Sequence, residues 1–539
     1  MLLIILLSLA PLLSLFTNTD MIHTHDGPVH LARIAEYYKS LADGQILPRW
    51  AGNLNFGYGT PVFIFLYPLP YLIGSLFLFL GANLILAFKL VLTTSYLLSG
   101  VTMYFCMKFL TKNNFTAYLS ALLYQFAPYR LVELVVRGSM AEAFVFSFLP
   151  LMILGASRLN IRMRYTDFLL TGISCALLVL SHNSMSLVFV AIALGFLFYF
   201  SSSVASFLRI AAAFISGLLL SAFYWIPALL EHRFTYGDLF MRDMYKSHFA
   251  PFFQFIIPNV ANNSLLQTGG ISVDIGIIHT ALIVFTIILL ARKPTMALIQ
   301  KKILVFALAV IGVAFFFMLP LSAFFWEKIP LLRQFQFPWR FLAACAFGTS
   351  LLAIALPRVK NLHTYARAAL TAAIVLPTLV YWYPPLGFDR IDVNYYWNYP
   401  LNTTYFGESD SIWAAGPASS YPKNRIEIAS GNGTIKNFYR RSTIQTFTVS
   451  ANGAVEVVSH TQYFPGWKAF IDGLKAPIEF QNQNWRGLIL FSVPSGTHEV
   501  KIEFTRSGAR VVGDSLSAVA VIFLIIGACV TNRRPPNII

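Results

Sequence analysis

Apolar runs long enough to cross about 30 Å of hydrocarbon recur down this chain, separated by short polar loops. Runs at 2–17 and 84–109 open the series, and a run at 513–530 closes it. The run 61–80 is different. It carries Pro61, Pro68 and Pro70, and each proline removes a backbone donor in a medium that offers no replacement. That segment is predicted to be re-entrant or interfacial, leaving about twelve spans. One long stretch, 384–512, has soluble composition. Within it, His498-Glu499-Val500-Lys501-Ile502-Glu503-Phe504 and Ala454-Val455-Glu456-Val457 alternate with period two, as half-buried strands do. Asn432-Gly433, Asn452-Gly453 and Asp472-Gly473 supply hairpin turns. The pattern predicts an α-helical polytopic membrane protein (residues 1–383) and an external all-β sandwich after an aromatic, Pro-rich connector from Pro384 to about Lys423 (together 384–512). A final span and tail (513–539) follow.

Composition agrees. Hydrophobic residues make up 57% of the 539 and charged residues 12%, a balance that excludes an ordinary soluble domain. The formal charge of +16 is not a nucleic-acid footprint, because the basic residues sit in short loops where they orient spans. The clusters are Lys108 and Lys112; Arg158, Arg162 and Arg164; Arg292, Lys293, Lys301 and Lys302; Arg358, Lys360 and Arg367; and Arg533 and Arg534. Parity puts all five on one face, the cytoplasmic one, of a plasma (inner) membrane, with both termini inside. The first run lacks a charged n-region and a small-residue cleavage site, so it reads as a span rather than a signal peptide. The regions 18–83, 129–140, 231–275, 320–338 and 384–512 are then extracytoplasmic. Cys106, Cys175, Cys345 and Cys529 all lie in apolar runs and read as packed small hydrophobes, with no metal or disulfide spacing.

Polar chemistry concentrates at those outer ends. His23-Thr24-His25-Asp26-Gly27-Pro28-Val29-His30 leads into a helix that Gly44 closes. Leu31, Ile34, Ala35, Tyr38 and Leu41 mark its apolar face; His30, Arg33, Glu36 and Lys39 mark the other, so the helix is expected to lie on the membrane surface. Asp26 stands where an N-cap belongs, before Pro28. His23, His25, Asp26 and His30 match no standard zinc spacing. Arg130, Glu133, Arg137 and Glu142 recur at helical intervals, which suits either ion pairs or a site. His182 in Ser181-His182-Asn183-Ser184 suits a turn between helices, and Arg340 in Phe337-Pro338-Trp339-Arg340 suits an interfacial anchor; both also suit a polar site.

An external Asp on an interfacial helix behind the first span, followed by a Pro-rich hydrophobic segment that does not cross, resembles the GT-C superfamily of integral-membrane glycosyltransferases. Several motifs narrow the resemblance: His25 to His30, Pro48-Arg49-Trp50, Asn55-Phe56-Gly57-Tyr58-Gly59, Arg137 to Glu142, Phe337 to Arg340 and Tyr463-Phe464-Pro465-Gly466-Trp467. Together they are similar to multispanning bacterial proteins of the YfhO group, also described as related to 6-pyruvoyl-tetrahydropterin synthase. No pterin chemistry is visible in these residues.

The resemblance implies sugar transfer on the outer face from a polyprenyl-phosphate-linked donor to a glycan, lipid or protein acceptor. It makes Asp26 the catalytic carboxylate with Glu142 as a second, and puts His25, His30, Arg49, Arg137, His182 and Arg340 on substrate, the arginines on the lipid phosphate. No metal ligands are assigned; superfamily members differ in using a divalent cation. Two other classes stay open from the residues alone: a transporter or lipid flippase, and a non-catalytic membrane scaffold whose β domain binds a glycan or partner. Tyr395, Tyr396, Trp397 and Tyr399 would suit sugar stacking in either.

Overall fold

A computed structural model describes all residues except 260–269, 294, 357–363, 405–406 and 533–539. Arg358 and Lys360 of the fourth basic cluster, and Arg533 and Arg534 of the last, lie outside the described residues.

Among the described residues, seven helices are long and apolar enough to cross a membrane: Leu84–Thr111, Met140–Ile161, Asn183–Phe200, Leu298–Met318, Pro338–Ala355, Thr364–Tyr381 and Gly508–Thr531. An eighth is gained if the pair Val204–Leu220 and Ala222–Phe234, bent by 68°, counts as one span. The difference from about twelve lies in length, since a full crossing takes about 20 residues. Leu2–Phe16, Tyr165–Ser181 and Ile277–Ala291 are apolar but shorter. The Pro-rich run 61–80 breaks into Val62–Phe65 and Pro68–Phe79, so no single helix there reaches across. The guanidinium of Arg367 lies over the ring of Phe115, 5.3 Å away, which brings the first and fourth basic clusters to one end. Cys106, Cys175 and Cys345 are buried, as expected of packed hydrophobes; Cys529 is exposed on the last helix.

The helix Gly27–Ala42 forms as the pattern predicts, with Gly44 beyond its end at φ +94°. Its environment corrects the expectation of a solvated polar face. His30 and Glu36 are 3% exposed, His30 packed against Tyr71 and Phe88 and Glu36 against Asn53, while the connector folds over Arg33 and Lys39. Arg33 donates to the Thr403 carbonyl at 2.7 Å, Lys39 donates to the Trp397 carbonyl, and Glu36 accepts from the Asn53 backbone at 2.9 Å. The connector is also stitched in by backbone. Met21–Ile22 (β1) pairs antiparallel with Phe388–Asp389 (β2).

The strands between Ile426 and Phe504 form a two-layer antiparallel sandwich. Ile426–Ser430 (β3), Gly433–Arg441 (β4), Ile444–Ala451 (β5), Val455–Gln462 (β6), Trp467–Ile471 (β7), Leu474–Ala476 (β8), Leu488–Val493 (β9) and Gly496–Phe504 (β10) follow in chain order. One sheet runs β4-β5-β10-β7-β8 and the other β3-β6-β9. Of the three Gly turns read from the sequence, Asp472-Gly473 closes a true hairpin, β7 to β8. Asn432-Gly433 and Asn452-Gly453 instead carry the chain from one sheet to the other. The hairpin β4–β5 turns at Ser442 and Thr443, with no glycine. Val449, Val457, Ile489 and Ile502 fill the space between the layers, and Trp50 and Ile64 from the membrane-proximal part join them. Trp50 meets Trp467 edge-on at 5.2 Å. The sandwich therefore shares its core with the broken Pro-rich run.

Candidate active site

The site is built where two polar motifs meet. After Pro128–Val132 the chain widens into a single π turn, Glu133–Arg137, and stops at Gly138 with φ +65°. Such wide turns are uncommon and recur at functional sites. A Cβ at Gly138 would lie 2.5 Å from Oγ1 of Thr24 and 3.2 Å from Phe88. Glycine thus lets the first outer segment lie against this turn: His25 N donates to the Val136 carbonyl at 3.1 Å and Asp26 N to the Arg137 carbonyl at 2.9 Å. Residues more than a hundred positions apart are fixed backbone to backbone.

Asp26 does not act as the side-chain cap of its helix. Thr24 takes that task, accepting from Gly27 N at 3.2 Å, and the Asp26 carboxylate turns to Arg137 Nη2 at 3.4 Å. Arg137 Nη1 donates to Glu133 at 2.6 Å, the i, i+4 pair that the spacing suggests, and to Glu142 at 2.9 Å. Arg340 enters from the other side, its Nε 2.8 Å from the same Glu142 oxygen, while its Nη1 donates to the Phe335 carbonyl and to Gln336. Tyr129 donates to the second Glu142 oxygen at 2.9 Å. The arginines also face rings: Arg137 lies over Trp339 and Arg340 over Phe337, each at 4.9 Å. Arg340 is thus buried in the cluster, not an anchor at a lipid surface.

Exposure separates the carboxylates. The Asp26 side chain is 24% exposed, Arg137 and Arg340 5% and 8%, and Glu142 0%. Burial alone would strip charge from Arg137, but Glu133, Glu142 and Asp26 outweigh it and hold the guanidinium cationic. Burial, helped by the Glu142 charge, pushes the Glu133 carboxyl above the usual range, with Arg137 opposing. Two guanidiniums thus balance two buried carboxylates, and a third carboxylate reaches the surface at the edge.

Of the other expected site residues, His182 is buried beside the cluster. Its ring stacks on Tyr67 at 4.8 Å, its Nδ1 accepts from Met185 N, and its Nε2 stands 3.8 Å from Glu142. His30 sits one layer behind, 3.2 Å from the Tyr71 hydroxyl, and burial pulls its pKa down to about 3. His25 is exposed next to Asp26. Arg49 is not brought to the cluster. It pairs with Asp514 of the last helix at 3.1 Å and donates to the Phe223 carbonyl at 3.1 Å. Among the described residues no set of three His, Cys, Asp or Glu is placed to hold a metal. The ring of Tyr67 and the hydroxyl of Tyr129 escaped the sequence reading. Tyr129 opens the motif that holds Arg137 and could have been found by its place there; nothing near Tyr67 signals its partner.

The profile of a family of membrane proteins, described as the 6-pyruvoyl-tetrahydropterin synthase related domain, matches residues 63–384. The chain belongs to this family. Arg137, Glu142, His182 and Arg340 lie inside the matched residues, and Asp26 precedes them. An uncharacterized protein of Lactococcus lactis subsp. cremoris (strain MG1363) is 25% identical over 216 residues, 38% of this chain and 35% of that protein. Two solved structures of the arabinofuranosyltransferase AftD from mycobacteria, one of them a mutant, are similar in part. Their TM-scores are 0.41 and 0.40 at 15% and 16% identity, over 70% and 72% of this chain. The chain spans 27% and 28% of the AftD chains, and so about a third or less of each protein it matches.

Proposed function

We propose that the protein is a membrane glycosyltransferase that moves a sugar from a polyprenyl-phosphate-linked donor to an acceptor hydroxyl, with Asp26 as the base. The observation that carries this reading is the contrast within one cluster: Asp26 alone among its three carboxylates reaches the surface, while two buried arginines are locked behind it. In the proposed step the acceptor oxygen forms a bond to the sugar C1 and its proton passes to Asp26. The bond from C1 to the phosphate oxygen breaks, and its electron pair leaves on the lipid phosphate. That leaving group is already a stable anion and needs no general acid. What it needs is oriented donors, and Arg137 and Arg340 are assigned to it as charge-assisted N–H donors, their net charge being balanced by Glu133 and Glu142. Glu142 is assigned a positioning role, because all its hydrogen-bonding capacity toward the site is spent on Arg137, Arg340 and Tyr129. Arg49 is assigned no part in the chemistry.

The test is Asp26→Asn in purified, reconstituted protein supplied with a polyprenyl-phosphate sugar and acceptor. The side chain makes no capping bond, and Arg137 keeps Glu133 and Glu142, so folding should be preserved. Transfer should fall by about 10²-fold or more, the scale of a lost general base. An Asn variant with full transfer would end the assignment.

A further inference from the structure

Two segments read from the sequence as external loops, within 231–275 and 320–338, carry an apolar surface out of keeping with water. Leu239, Phe252, Phe253, Ile256 and Ile257 are 67%, 58%, 53%, 53% and 61% exposed on the first; Leu321, Phe324 and Leu331 are 80%, 61% and 53% exposed on the second. An exposed apolar surface of this extent marks a contact with something apolar.

Where these side chains sit decides what that is. Both segments fold back on the last turn of one span, Leu298–Met318. Phe252 and Phe255 meet Phe315 at 5.9 and 5.3 Å, and Phe325 meets Phe316 and Phe317 at 5.7 and 6.2 Å. Phe316 is itself 37% exposed on the outside of the span, and Val313 is 57% exposed one turn deeper. The apolar surface of the segments is therefore continuous with the lipid-facing surface of a span and begins below that span's end. Between them they bury Trp326, stacked on Tyr245 at 5.3 Å, so the two form one body. Their backbone suits a medium without water. Pro251, Pro258, Pro320 and Pro330 have no donor to satisfy, and the donors of Ile256, Ile257 and Ile329 are bonded within their own short turns.

We propose that the exposed apolar side chains of residues 237–257 and 320–333 form a two-lobed shoulder seated in the acyl region of the lipid bilayer, in the leaflet nearest the β domain, with the exposed Arg242, Asp243, Lys246, Glu327 and Lys328 of the same segments at its aqueous edge. The shoulder leads straight to the candidate site, because Arg340 is held by Phe335 and Gln336 directly after its second lobe. The proposal rests on the membrane character of the chain and not on the transferase reading.

The test uses full-length protein in phosphatidylcholine nanodiscs, with Cys529→Ser removing the exposed native thiol. Nitroxide labels are placed singly at Phe253→Cys, Ile257→Cys, Leu321→Cys and Phe324→Cys, with Lys475→Cys on the sandwich as the aqueous reference. All four lobe positions are surface side chains, so a label there displaces no core. Collision with oxygen should exceed collision with a water-soluble nickel chelate at all four, and the order should reverse at Lys475→Cys. If either lobe behaves like Lys475→Cys, the segments stand in water and the proposal falls. Loss of transfer in Asp26→Asn would leave this outcome untouched.

Discussion

At the scale of single residues, the site is decided by which groups are satisfied. Arg340 uses Nε for Glu142 and Nη1 for Phe335 and Gln336, a planar fork that lysine cannot copy. Arg340→Lys should therefore keep membrane insertion but lower transfer roughly ten- to a hundredfold, the worth of one charge-assisted hydrogen bond of ~1.5–3 kcal/mol. Donor titration in a steady-state assay would read it; an unchanged rate would reduce Arg340 to packing. His30 makes a second prediction, about pH. Its folded pKa is pulled to about 3 against 6.5 for the free side chain, so between these values the unfolded chain binds a proton that the folded one refuses. Its contribution to stability is full above pH 6.5 and is lost as pH falls toward 3. Thermal unfolding in detergent across that window should show a slope that His30→Gln flattens. An equal slope in both proteins would assign it to other groups.

At the scale of elements, the turn Glu133–Arg137 with Gly138 brings the two polar motifs together. Gly138→Ala places a Cβ at φ +65°, which costs about 1–2 kcal/mol for an L residue, and drives it into Thr24. The variant should unfold at lower temperature and lose transfer together, because the backbone pairs that carry His25 and Asp26 to Val136 and Arg137 must separate. A variant as stable as wild type would mean that the turn adapts without cost. The helix Gly27–Ala42 was legible from its 3.6-residue period and its closing glycine. The capping role suggested for Asp26 was not, because its carboxylate is drawn to Arg137, 111 positions away in the chain, and the first-turn donor Gly27 N goes to Thr24 instead.

At the scale of the whole molecule, the β sandwich is held to the membrane part by buried charge as well as by Trp50. Arg510, at the start of the last helix, donates to Glu231 at 2.9 Å and to the Pro465 carbonyl at 2.8 Å, and both charged side chains are almost wholly buried. Arg510→Met should leave Glu231 buried without its partner, at a cost of about 3–5 kcal/mol. Limited proteolysis should then cut near the base of the sandwich at protease levels that spare the wild type. Equal resistance would show that the shared core around Trp50 suffices for docking.

What the sequence determined by itself was whatever is encoded locally. Apolar run length marks Leu84–Thr111 and Gly508–Thr531 as spans, prolines break 61–80, and period-two alternation places β10 and β6. Side-chain direction follows from backbone period alone, so these features need no knowledge of neighbours. Motif order brought Asp26, Arg137, His182 and Arg340 forward as candidates, and all four converge. Only the tertiary structure decided their condition. It turned Asp26 from cap to ion pair, sealed Glu142 between two guanidiniums, and sent Arg49 to Asp514. It also folded the connector over a helix face that looked solvated, and led two of the three Gly turns from sheet to sheet. Burial and charge pairing depend on groups hundreds of residues apart in the chain, and no local pattern carries that information.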